Sequence, residues 1–219
     1  MLHTSATRAW VRRFRRRLLF KDPPMNVSKI QIKLFADQSV ALPAYVPVFH
    51  EWIRVNKLPE LMIDVAPYDH VPSGPGILFV GHGSDYYLDE SKGRVGLLYS
   101  RKREAPAAAE RLRDSVRRAV NVAASLEADA SLAGKVKFAT NELLFRVNDR
   151  LGAPSSQATL DAMKGELSSF FADILGGPVQ LTLASEPREL FTVMVKLAPG
   201  ATIPKLGDLL ARLGGPPAN

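Results

Sequence analysis

Residues Ser28 to Phe35 alternate, with Ile30, Ile32 and Leu34 on one side and Lys29, Gln31 and Lys33 on the other. A period of two predicts a strand with one buried face. From Leu42 the period changes. Leu42, Tyr45, Val46, Phe49, Trp52 and Ile53 recur at helical spacing up to about Lys57. Pro47 lies inside that pattern, so the helix either starts near Val46 or is kinked there. Leu61, Ile63 and Val65 predict a second strand. A loop rich in Pro and Gly runs from Pro67 to Gly76, and the apolar run Ile77 to Val80, closed by Gly81, predicts a central strand covered on both faces. A short strand through Tyr87 and another from Val95 to Tyr99 fit a hairpin.

Pro106 suits the first residue of a long helix with Ala108, Leu112, Val116, Val120 and Ala123 on one face, ending near Gly134. Its outer face carries Glu110, Arg113, Asp114, Arg117 and Arg118, which predict solvated pairs at helical spacing. The second half repeats the rhythm. It reads as a strand over 142–148, a helix from Ser155 or Ser156 to Gly176-Gly177-Pro178, a hairpin of 179–183 with 190–197, and a short helix from about Pro204 to Leu213. The expected class is α+β: a mixed or antiparallel sheet with helices packed on it. The shared strand–helix–hairpin–helix order suggests two ferredoxin-like, βαββ-type halves over 25–134 and 135–213, with 214–219 a frayed tail.

Composition narrows the chemistry. Hydrophobic residues make up 46% and charged residues 23%, the range of an ordinary folded domain. Cysteine is absent, which excludes disulfides, Cys-bound zinc, iron–sulfur clusters and a thiol nucleophile. The net charge of +7 is local: residues 1–24 carry seven basic side chains against Asp22 alone, and the rest is nearly neutral. Trp10, Phe14 and Leu18 would line one face of an Arg-covered helix in that extension. It reads as an unfolded arm, as an amphipathic helix for an anionic membrane, or as a basic arm for nucleic-acid phosphates. Translation from Met25 would omit it. No stretch approaches the about 18 apolar residues of a membrane span.

Candidate chemistry concentrates between Asp64 and Arg103. If the strand ends of the first half share a rim, Tyr68, His70, His82, Asp85 and Arg94 form a ligand-binding set. His82 and Asp85, with His70 or Asp64, are also candidate metal ligands of mixed N/O type. Gly74-Pro75-Gly76 and Gly81-His82-Gly83-Ser84 offer backbone N–H groups to an anion, helped by Arg94 and Arg101 to Arg103. Gly beside Pro is first of all turn chemistry, and no P-loop ending follows. Ser84 lies in no nucleophile elbow. Tyr86, Tyr87 and Tyr99 read as packing residues with hydroxyls at the surface. No cofactor is implied.

The segment from Gly74 to His82, continuing through Asp85-Tyr86-Tyr87-Leu88-Asp89 to Gly93-Arg94-Val95-Gly96-Leu97-Leu98-Tyr99-Ser100-Arg101-Lys102, resembles one found in uncharacterised bacterial proteins. With Ile30 to Phe35 and Pro47 to Ile53, the resemblance covers about half of the body. It implies a bacterial, cytoplasmic origin and carries over no activity. The expectation is a non-catalytic ligand-binding or protein-interaction domain whose sheet edges allow a homo-oligomer. Its rival is a metal-assisted hydrolase using His82 and Asp85. A third reading gives the protein's partner, membrane or nucleic acid, to residues 1–24.

Overall fold

The computed structural model describes residues 27–215 except 69, 72–73, 104–105 and 133. The expectations for residues 1–24 and for most of the tail lie outside the described residues. Eight strands form one sheet: β1 (Ile30–Gln38), β2 (Met62–Tyr68), β3 (Gly76–Gly81), β4 (Ser84–Asp89), β5 (Gly96–Arg101), β6 (Lys137–Val147), β7 (Val179–Leu183) and β8 (Thr192–Leu197). Among the described residues, four α-helices pack on it: α1 (Tyr45–Arg54), α2 (Ala108–Ala128), α3 (Gln157–Leu175) and α4 (Leu206–Arg212). The strand order is β2-β3-β4-β5-β1-β6-β8-β7, and every pairing is antiparallel. The class is α+β.

Both halves follow one plan about the β1–β6 seam. Each starts with a central strand, sends a helix outward, and returns by antiparallel strands from the sheet edge to that starting strand. The first half returns by four strands and the second by two. Four arise because the short strand expected through Tyr87 is the full strand β4. The second half keeps the expected βαββ order and the first adds two strands; among the described residues neither half has a strand of its own after its second helix, so ferredoxin-like halves are not confirmed.

The period-two pattern assigns the faces. Register places Ile32, Tyr99, Tyr86, Phe79, Phe145 and Val193 on one face. Phe49 of α1 stacks on Phe79 at 4.4 Å between ring centres, and Phe171 of α3 meets Phe145 edge-on at 6.5 Å. Arg101, on this same face, pairs with Asp114 of α2. All three long helices therefore cover one face of the sheet. Pro47 falls in the first turn of α1, after a 3-10 turn over Leu42–Ala44, where a missing N–H costs nothing. The helix is not kinked at that residue. Helix α2 ends at Ala128, short of Gly134, and β6 begins five residues before the apolar alternation becomes clear.

Among the described residues, the second face carries no helix. Ala66, Leu78, Tyr87, Leu98, Lys33, Leu144, Met194 and Thr182 run across it in register. The apolar run in β3 comes from this row: Ile77 and Phe79 lie under helices, while Leu78 and Val80 are only half-buried on the other side. β3 is thus not sealed on both faces as its sequence suggests. Lys33 is 2% exposed on the helix-free face, although a polar position there predicts solvent. Two turns fold over it. Lys33 Nζ donates to Asp89 Oδ2 at 2.6 Å and to the Arg94 carbonyl at 2.7 Å. Arg94 stacks on the Phe35 ring at 3.6 Å and pairs with Glu142. Lys92, from the β4–β5 turn, reaches Glu189 of the β7–β8 turn at 2.8 Å.

Candidate functional site

The rim expected in the first half does not assemble. His70 stacks beside Tyr68 in the β2–β3 loop, with ring centres 6.4 Å apart. His82 is exposed at the other end of β3, and its backbone N–H donates to the Leu61 carbonyl. Six residues of strand separate those ends, about 20 Å at 3.4 Å each. Asp64 and Asp85 both flank Val80 on the helix-free face, two strand spacings or about 9.6 Å apart. Asp85 is 8% exposed, accepts from Gly81 N, and pairs with Lys102 at 2.7 Å. Among the described residues, no three His, Asp or Glu side chains are grouped to hold a metal ion. Arg94 lies at the His70 end, committed to Phe35 and Glu142.

The glycine stretches serve the sheet. Gly76 has φ +71°, and a β-carbon there would lie 2.0 Å from the Leu88 carbonyl oxygen. One at Gly81 would lie 2.4 Å from the Ser84 carbonyl oxygen. Only a residue without a side chain allows these approaches. Strand alternation also separates Ser84 from Asp85. Ser84 points under the helices and Asp85 to the opposite face, so the two cannot share a nucleophilic site.

Ser84 leads instead to a polar cluster beneath α2. Its hydroxyl donates to Glu60 Oε2 at 2.5 Å, and Gly83 N donates to Glu60 Oε1 at 3.0 Å. Arg118 NH1 reaches Glu60 Oε2 at 3.1 Å. Asp114 accepts from Arg118 Nε at 2.9 Å, from Arg117 NH2 at 2.6 Å, and from Arg101 NH2. Residues 114, 117, 118, 121 and 122 follow helical spacing, so one face of α2 presents them all to the ends of β4 and β5. Of the charged residues expected to be solvated, Asp114 and Arg118 are therefore folded against the sheet, whereas Glu110 is exposed.

The surroundings shift three groups here, Asp114, Arg118 and Tyr86. Burial opposes charge on Asp114, yet its hydrogen bonds from Arg117 and Arg118 and the charges of Arg118 and Arg101 prevail and depress its pKa. Burial likewise opposes charge on Arg118, but Asp114 and Glu60 raise its pKa above the ordinary arginine value. Burial first, and then the Glu60 charge, push the Tyr86 phenol up, so it stays a neutral donor. Tyr86 and Tyr99 are 2% and 0% exposed, not surface hydroxyls, and Tyr99 Oη has no hydrogen-bond partner.

Beside the cluster lies a cavity of about 180 Å³. Glu60, Tyr86, Arg117, Arg118 and Asn121 line its polar side, and Leu58, Pro59, Val122 and Leu210 its apolar side. No family model matches the chain, and no curated protein matches it.

Tyr86, Arg117 and Arg118 were legible in the sequence as residues but not as a site. Glu60 carried no signal at all, since it stands alone between Pro59 and Leu61. No described helix is long and apolar enough to cross a membrane.

Proposed function

We propose that this protein is a non-catalytic binding domain that holds a small organic acid in the cavity beneath α2. One observation carries the reading: an apolar cavity ends at Tyr86, Asn121, Arg117 and Arg118, and the two arginines are fixed by hydrogen bonds to Asp114 and Glu60. Donors held in place lose little freedom when a ligand arrives. The local charge favours an acid, because Arg101, Arg117 and Arg118 outnumber Glu60 and Asp114. The volume is small beside ligand pockets of about 300–1,000 Å³, which favours a molecule of benzoate size. Nothing in the cluster is poised for chemistry: each carboxylate already accepts from at least two donors, and the neutral phenol is a weak nucleophile.

Calorimetric titration with benzoate is the test. Saturable binding is expected in the wild type, and Asn121→Trp, which fills the cavity from a half-buried position, is expected to remove it with little change in thermal midpoint. Absence of saturable heat, or equal binding by the Trp variant, would overturn the assignment.

A further inference from the structure

A second cavity, of about 260 Å³, lies on the helix-free face. Lys92, Arg146, Arg150, Glu189, Leu190 and Thr192 line it. These residues come from the β4–β5 turn, the end of β6, the loop after it, and the β7–β8 turn into β8. Only the tertiary fold brings them together.

The charges do not cancel. Glu189 accepts from Lys92 Nζ at 2.8 Å and from its own turn through Glu186 N at 3.0 Å. That leaves Arg146 and Arg150. Arg146 is half-buried and donates its Nε to Thr192 Oγ1 at 3.0 Å, with no carboxylate among the described residues in salt-bridge contact. Arg118, Arg101 and Arg94, the other arginines folded onto the sheet, each have one. Desolvation weighs on Arg146 most and lowers its pKa, with the charges of Asp89 and Glu189 offsetting part of the effect. Gln31 lies directly opposite Arg146 on β1.

With Nε given to Thr192, the two terminal NH2 groups of Arg146 still form one bidentate edge, which matches an anion with two or three oxygens at one centre. With the Lys92–Glu189 pair neutral, Arg146 and Arg150 supply two positive charges, the complement of a dianion. We infer that the cleft between the β4–β5 turn, the β7–β8 turn and the end of β6 binds a phosphate monoester, with Arg146 as the bidentate partner and Arg150 as the second cation. The site is separate from the cavity beneath α2 and stands on the opposite face of the sheet.

The full-length protein is titrated with glycerol 3-phosphate and, in a second arm, mixed with vesicles of phosphatidylcholine containing phosphatidic acid. Both arms are matched in ionic strength with sodium chloride, since simple screening would otherwise imitate binding. Glycerol 3-phosphate is expected to bind the wild type saturably and raise its thermal midpoint. Arg146→Met is expected to weaken binding on the order of 100-fold, the loss of two charge-assisted hydrogen bonds, and Arg150→Ala on the order of tenfold. Arg146→Met keeps the stem volume and removes a desolvated charge, so its midpoint without ligand is expected to stay level or rise. Vesicle binding that depends on Arg146 would assign the same chemistry to a lipid headgroup. Binding in either arm that survives Arg146→Met with Arg150→Ala, or no binding in either arm, overturns the proposal. Loss of benzoate binding alone would leave it standing.

Discussion

Lys33 shows what a single position can hide. It sits in an alternating strand at a polar position, yet its ammonium is enclosed with Asp89. Burial lowers its pKa, partly countered by the Asp89 hydrogen bond and charge. Such pairs add little net stability, because desolvation offsets attraction, but a widowed partner is costly. Lys33→Met leaves the Asp89 carboxylate buried with only Ser91 as a side-chain partner. The expected cost is about 3–5 kcal/mol, read from urea unfolding. Replacing both residues, with Leu at 89, is expected to recover most of it. Equal costs for the single and double variants would mean that the ion pair is not what makes the site sensitive.

At the scale of elements, one carboxylate gathers three arginines where α2 meets the sheet. Asp114 receives Arg101 from β5 and Arg117 and Arg118 from its own helix. Its depressed pKa sets the sign of a pH effect. The unfolded chain takes up a proton near the ordinary value of 3.8, before the folded chain does. The stabilisation is therefore complete above that range and is lost as pH falls through the lower folded value. Asp114→Asn is expected to lose on the order of 3 kcal/mol at neutral pH and to show a shallower acid limb, in urea midpoints measured from pH 2 to 7. An unchanged acid limb would show that other carboxylates set it. The start of α3 offers a smaller effect. Ser156 Oγ accepts from Thr159 N at 3.2 Å, and Ser156→Ala is expected to cost about 1 kcal/mol in the same assay.

For the whole molecule, the β1–β6 seam decides whether two similar halves are one unit. Ile30, Ile32 and Leu34 meet Val147, Phe145 and Leu143 across it, and buried residues from both halves form one continuous core. A fragment over 136–215 would expose that seam and the face of α3. Calorimetry of the full chain is expected to give one cooperative transition, and the fragment alone none. Two separated transitions would show that the halves fold independently. The edge strands differ in design: β2 holds Pro67, which cannot donate to a neighbouring strand, whereas β7 has no proline.

Periodicity alone located nearly every strand and helix, because side chains at spacings of two and 3.6 must share a face whatever lies opposite. Composition excluded thiol chemistry, since the chain has no cysteine. Periodicity had limits. It could not find β4 as a full strand, since Asp85 and Asp89 look like turn residues until Lys102 and Lys33 are seen beside them. Nor could it find either cavity. Glu60 and Ser84 stand 24 positions apart, Lys92 and Glu189 97 positions apart, and their meeting depends on strand order and on turns that fold across a face. The proximity in sequence of His70, His82 and Asp85 suggested one rim, but a strand sends neighbouring side chains to opposite faces and its two ends far apart. Local pattern is written in short-range sterics; a site is written in long-range contacts, and only the assembled sheet supplies those.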